Sequence, residues 1–152
     1  METIQFKPIG VIHTPFNEPK DTPRSSAMGE GAEGTIELYP EYLQGLTDLE
    51  GFSHLEVVFY LHRSADYKLM VIPPLDDRPH GLFATRSPHR PNPVGISIVR
   101  LVRIEGITLH IADLDMLDGT PLLDIKPYVP RRSKDTNIRI GWLEDKIDKD
   151  KR

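Results

Sequence analysis

Fourteen prolines in 152 residues, running from Pro8 to Pro130, limit what this chain can become. A proline inside a helix removes a hydrogen bond and clashes with the preceding turn, so a fold of long helices is excluded. Short strands joined by proline-marked loops are the expected alternative. The length suits one domain with a single core.

The hydrophobic pattern supplies the strands. Ile4 to Ile12 reads as one, ending in His13-Thr14-Pro15. Asn17 to Gly34 is a long polar loop, the kind that is often functional in a compact domain. Gly34–Leu38 reads as a short strand. Pro40–Leu49 reads as a helix, with proline suited to its first position and Leu43, Leu46 and Leu49 recurring every three residues. His54–His62 alternates: Leu55, Val57, Phe59 and Leu61 face one way, and His54, Glu56, Val58, Tyr60 and His62 the other. Leu69–Ile72 and Leu82–Thr85 are further strand candidates. Val94–Ile104 and Ile107–Ala112 form an expected hairpin around Glu105-Gly106, and Leu122–Tyr128 is another strand. The sum is a mainly β, single-domain antiparallel barrel with one or two short helices over residues 1–143, because closure removes exposed strand edges. The charged tail 144–152 is expected to fray.

Composition narrows the function. With 38% hydrophobic and 28% charged residues the chain reads as globular. No apolar run reaches the roughly 20 residues of a spanning helix, and Met1–Gln5 does not resemble a signal peptide. There are no cysteines, which excludes disulfides and thiolate zinc and points to a cytoplasmic setting. His54, Glu56 and His62 share a strand face, but His54 and His62 lie about 26 Å apart along an extended strand, too far to share an ion. Asp113, Asp115 and Asp118 lack the spacing and closing glutamate of a calcium loop. No Walker loop, GxGxxG or nucleophile elbow is present. Net charge is −4, but the arginines cluster: Arg78, Arg86, Arg90, Arg100 and Arg103 occur with no acid between Arg78 and Arg103. A second cluster, Lys126, Arg131, Arg132, Lys134 and Arg139, includes one acid, Asp135. Clustered cations can hold a polyanion despite an acidic total.

Two segments carry chemistry. In Arg86-Ser87-Pro88-His89-Arg90-Pro91-Asn92-Pro93-Val94-Gly95 the prolines stiffen a loop that presents polar side chains, and Gly95 permits close approach of another group. The alternative is a rigid connector with solvated arginines. In Asp113–Tyr128, Asp118-Gly119-Thr120-Pro121 is a turn signature whose amides are expected to face a ligand. Beyond it Asp124, Lys126 and Tyr128 share one strand face, opposite Leu123 and Ile125. A carboxylate, an amine and a phenol so aligned can act as acid, base or anchor, or form an ordinary surface ion pair.

These segments, with Ile9–Phe16 (IGVIHTPF) and Leu49–Arg63 (LEGFSHLEVVFYLHR), resemble the TsaA-like family, the TrmO-type methyltransferases, from about Gln5 to Arg132. The resemblance implies a small antiparallel β-barrel and a homodimer that binds S-adenosylmethionine near the subunit interface. It implies methylation of the carbamoyl-bearing nitrogen of threonylcarbamoyl-adenosine in the tRNA anticodon loop. Bacterial members carry a further C-terminal domain beyond the stretch matched here.

By the same resemblance the cofactor site comprises Ser25, Ser26 and Ala27, His62 and Arg63, Arg86 and Ile96, and the turn Asp118, Gly119, Thr120 and Pro121. The early loop reads Thr22-Pro23-Arg24-Ser25-Ser26-Ala27 where bacterial members tend to Pro-Arg-Gln-Pro. Asp124 and Tyr128, with His89 and Asp115, are candidates for the base or orienting group. Arg90, Asn92, Lys126, Arg131 and Arg132 are candidates for substrate and phosphate contact, and Tyr128 and Trp142 for base stacking. No metal or membrane partner is expected. Two other readings stand beside this one: a same-family methyltransferase with a small-molecule acceptor, and a non-catalytic module that binds S-adenosylmethionine or a similar ligand.

Overall fold

A computed structural model of the chain describes residues 1–23, 29–131 and 137–147. Among these described residues eight strands form: β1 (Gly10–His13), β2 (Glu33–Leu38), β3 (His54–Tyr60), β4 (Met70–Val71), β5 (His80–Gly81), β6 (Val94–Glu105), β7 (Thr108–Ala112) and β8 (Thr120–Pro127). Six of them close a barrel in the order β1-β2-β7-β6-β3-β8, every pairing antiparallel. β4 and β5 make a separate two-stranded arm between β3 and β6.

Alternation fills the barrel. On β3, Leu55, Val57 and Phe59 are buried; on β6 Val99 lies opposite Leu55, and Leu101 joins the same core. Ile12, Ile36, Leu109, Ile111 and Leu122 complete the interior, each fully buried. Gly95 sits where a Cβ would strike the Phe59 ring, so the close approach expected there is made by the core. β6 is long enough to serve two neighbours. It pairs with β3 through Arg100 and with β7 beyond it, shifting register between Leu101 and Arg103. Such a bulge adds local twist, which helps a sheet to close.

Three expected elements differ. The first strand begins at Gly10, not Ile4, and Ile4 and Phe6 remain exposed. Pro8 has no N–H to give a ladder, so pairing starts after it. Pro40–Leu46 is a 3-10 turn rather than an α-helix. The strict three-residue leucine repeat is that helix's own period, and Asp48, at φ 70°, ends the run. Leu82–Ala84 is a 3-10 turn, not a strand, closed by the Thr85 hydroxyl on the Leu82 carbonyl at 2.8 Å. At the other terminus the supposed tail is partly structured. Glu144 accepts the Ile140 amide at 3.0 Å, and Ile147 packs on the core. Among the described residues no helix is long and apolar enough to cross a membrane.

The pairings define two barrel ends. His13 meets Thr35, Ile12 meets Thr120, Tyr60 meets Val94 and Glu33 meets Ala112, so these residues rim one end, the mouth. Gly10, Leu38, His54 and Glu105 lie toward the other end, the base.

Candidate functional site

The turn Asp118–Pro121 sits at the mouth and is built from the inside. Asp118 donates its amide to the Phe16 carbonyl at 2.7 Å, and Gly119 donates to Ile12 at 2.9 Å. Thr120 donates to Leu117 at 3.3 Å and is itself 2% exposed. These amides are therefore committed to the fold, contrary to the expectation that they face a ligand. What the turn offers outward is the Asp118 carboxylate and the bare side of Gly119. Asp118 Oδ1 accepts the Thr14 amide at 3.0 Å, with His13 Nδ1 at 3.5 Å. Gly119 holds φ 80°, and a Cβ there would meet nothing within 4 Å, so a ligand can approach the backbone closely.

Across the mouth, the chain leaving β3 carries His62 and Arg63. Arg63 donates to the Asn17 carbonyl at 2.9 Å and lies 3.5 Å from Glu18. It thus pins the Thr14–Glu18 segment beside the turn. His62 is held below its ordinary value of 6.5, first by burial and then by the Arg63 charge, so its ring is neutral at physiological pH. The proline-rich loop is stitched to the same stretch. Ser64 Oγ donates to Pro88 at 2.8 Å, Leu61 donates to Pro93 at 2.8 Å, and the Ala65 amide donates to His89 Nδ1 at 2.8 Å. An acceptor Nδ1 places the His89 proton on Nε2, so His89 as placed is a donor rather than a base. Arg86 donates to the Ile96 carbonyl at 3.2 Å, and Arg90 to the Thr85 and Ser87 carbonyls, both at 3.0 Å. Arg90 thereby closes its own loop. Asn92 is exposed.

The structure thus gathers His62, Arg63, Arg86, Arg90, Asn92 and the 118–121 turn at one end. It does not gather everything. Ile96, Val58 and Asp124 form one outward row across β6, β3 and β8, so Asp124 lies about 10 Å from Ile96 at ordinary strand spacing. Asp124 pairs with Lys126 at 2.8 Å, and Lys126 is raised by that partner first and by Glu56 last. Ile125 faces the core as expected. Leu123 falls at a register shift opposite Val58 and Phe59, so the simple alternation breaks there. Tyr128 donates its amide to His54 at 3.0 Å and stands edge-on to the His54 ring. That puts it near the base, about 25 Å along β8 from the turn. Arg131 follows it, and Trp142, 62% exposed, neighbours the Phe52–Ile140 bridge, also away from the mouth. Ser25, Ser26, Ala27 and Arg132 lie outside the described residues.

Two features went unseen in the sequence. Ser97, inside β6 and 5% exposed, donates to the Asp115 carboxylate. Phe83 stands 76% exposed with the Arg90 guanidinium 5.9 Å from its ring centre. Neither has a local signature, since each depends on a partner brought in by the fold. Among the described residues no three histidines or carboxylates gather as a metal site.

Comparison with known proteins gives this geometry a context. Residues 11–134 match the family described as the tRNA-methyltransferase O N-terminal domain. A probable S-adenosyl-L-methionine-binding protein of Pyrococcus abyssi is 52% identical over 146 residues, covering 96% of this chain and 79% of the relative. The tRNA (adenine(37)-N6)-methyltransferase of Escherichia coli is 39% identical over 140 residues, covering 86% of this chain and 60% of that enzyme. The crystal structure of TrmO from Pseudomonas aeruginosa superposes with a TM-score of 0.73 at 38% identity, over 92% of this chain and 62% of that one.

Proposed function

Because this chain belongs to the tRNA-methyltransferase O N-terminal-domain family, we propose that it is an S-adenosylmethionine-dependent methyltransferase acting on a tRNA. The finer proposal is that it methylates the carbamoyl-bearing nitrogen of threonylcarbamoyl-adenosine in the anticodon loop, in the cytoplasm, as a homodimer. One observation carries the reading: residues from three separate segments, His62-Arg63, Arg86 and Asp118-Gly119, converge at one barrel end. The chain spans 60% of the E. coli enzyme, so the activity is argued from the residues present.

Those residues fit the cofactor. S-adenosylmethionine supplies a methyl group on a positively charged sulfur, beside a cationic amino group and a carboxylate. Asp118 offers the carboxylate for the cations, Arg86 keeps further N–H groups for the anion, and Gly119 leaves space. The neutral His62 ring adds no competing positive charge. In-line transfer from a sulfonium needs shape and partial dehydration more than a covalent catalyst. The acceptor nitrogen loses a proton, and Asp124, ion-paired and in the row of Ile96, is the better placed of the two proposed catalytic groups to receive it. Tyr128, with Lys126, Arg131 and Arg132, is assigned to holding the RNA, and Arg90 and Asn92 to contacts at the mouth.

The proposal of a homodimer is supported by the outward face of β6. Val94, Ile96, Ile98 and Val102 stand 37%, 48%, 38% and 40% exposed along one strand. Such a row marks an interaction face, and it includes the cofactor residue Ile96. Dilution to a monomer is expected to weaken S-adenosylmethionine binding; unchanged affinity in a proven monomer defeats the shared site.

The deciding experiment is transfer of a labelled methyl group to two tRNA pools, with and without the threonylcarbamoyl group. Label is expected only in the modified pool. Label in neither, with cofactor bound, refutes the tRNA reading and favours another acceptor.

A further inference from the structure

Phe83 stands out among the aromatic residues of the folded barrel. Phe52 and Phe59 are 2% and 4% exposed and Phe16 packs on the core, whereas Phe83 is 76% exposed, as is Phe6 in the unpaired stretch before β1. It is also held in place. Its neighbour Leu82 is 1% exposed and donates its amide to Leu69 at 2.9 Å. The Thr85 hydroxyl closes the turn on the Leu82 carbonyl. Arg90 then donates to the Thr85 and Ser87 carbonyls and sets its guanidinium beside the Phe83 ring. The ring is a rigid plate backed by a cation.

We propose that Phe83, backed by Arg90, is a stacking platform for one unpaired nucleobase of the RNA at the mouth of the barrel. The inference rests on the tRNA reading above and adds a residue that reading does not contain. Three observations favour a nucleotide over a protein surface. A flat exposed aromatic is what an extruded base needs, because every base has a π-face. Among the described residues, Arg86 and Arg90 have no carboxylate partner and bond only backbone carbonyls, so the loop that carries the ring holds two cations free of acidic partners, one of them against the ring, as phosphates would require. The loop from Leu82 to Pro93 is also the one that delivers Arg86 to Ile96, so a base on Phe83 sits on the same rigid loop as the candidate cofactor site. Tyr128 and Trp142, the stacking candidates read from sequence, lie toward the base instead.

The test compares wild-type protein with Phe83→Leu, which keeps apolar bulk without a π-face, and Phe83→Trp, which keeps the π-face. The probe is an anticodon stem-loop RNA with 2-aminopurine in place of one loop adenine, whose fluorescence is quenched on stacking. Phe83→Leu is expected to weaken RNA binding about 5- to 100-fold and to remove the quench, leaving S-adenosylmethionine affinity and sedimentation unchanged. Phe83→Trp is expected to retain both binding and quench. Equal RNA affinity in Phe83→Leu and wild type overturns the platform while leaving the tRNA reading intact. A change of association state in Phe83→Leu overturns it too, in favour of a subunit contact. No RNA binding by wild-type protein removes the tRNA reading itself, and the platform with it.

Discussion

The carboxylate of Asp118 accepts the backbone amide of Thr14 at 3.0 Å, joining segments 104 positions apart in the chain. In the proposed cofactor site the same group is the anion that faces the cationic ligand, so on that proposal structure and binding share one side chain. Asp118→Ala is expected to cost about 1.5 kcal/mol of stability, the low end for a hydrogen bond to a charged group. It is expected to weaken S-adenosylmethionine binding at least about tenfold, equivalent to about 1.4 kcal/mol. Calorimetric titration and denaturant unfolding separate the two effects. Full cofactor affinity in a folded Asp118→Ala protein argues against a binding role.

Two glycines give a contrast in stability. A Cβ on Gly34 would collide with the His13 carbonyl and the Leu114 side chain, whereas one on Gly45 would meet nothing within 4 Å. Gly34→Ala is expected to destabilise by several kcal/mol, since backbone must move to admit it. Gly45→Ala is expected to be neutral or to stabilise by up to about 1 kcal/mol, through the unfolded chain's lost freedom. Paired urea melts decide the matter, and equal midpoints would contradict the packing at β2.

The Asp124–Lys126 pair carries a kinetic prediction. If Asp124 receives the acceptor's proton, Asp124→Asn lowers kcat about 10²- to 10⁴-fold with cofactor affinity unchanged. A tenth or more of wild-type kcat in Asp124→Asn assigns the carboxylate to the ion pair alone.

His62 makes stability depend on pH. Its folded-state value lies below 6.5, chiefly through burial, so between that value and 6.5 the unfolded chain binds more protons. Its contribution is complete above 6.5 and is lost as pH falls toward the folded value. The denaturant midpoint is expected to drop on acidification from about pH 7 to about pH 5, and less so in His62→Gln. A slope identical in both proteins would assign the acid sensitivity to other groups.

Much of the barrel was legible because alternation dominates the strands that build it. The inward set Leu55, Val57 and Phe59 and the hairpin around Gly106 are local patterns, and both hold. The errors arose where a neighbour overrode the local signal. Pro8 withholds the amide that pairing of Ile4–Pro8 would need, and Thr85 turns an apolar run into a closed loop. The candidate site was legible as segments but not as geometry. Nothing in Asp118-Gly119-Thr120 announces that its amides are taken by Phe16, Ile12 and Leu117, because two of those partners lie a hundred residues away. Likewise nothing local to Arg90 announces that its loop folds back and that its guanidinium reaches the Thr85 and Ser87 carbonyls.

The closure of β1 onto β8 has a consequence for synthesis. β1 leaves the ribosome well before its second partner, Thr120–Leu122, which comes more than a hundred residues later in the chain. β3 waits likewise for β8. Until then the growing chain exposes an open, hydrophobic-faced sheet with two unsatisfied edges, a species prone to wrong pairing. The last strand therefore acts as a latch, and a nascent chain stalled before Thr120 would be a client for holdase chaperones rather than a partly working protein.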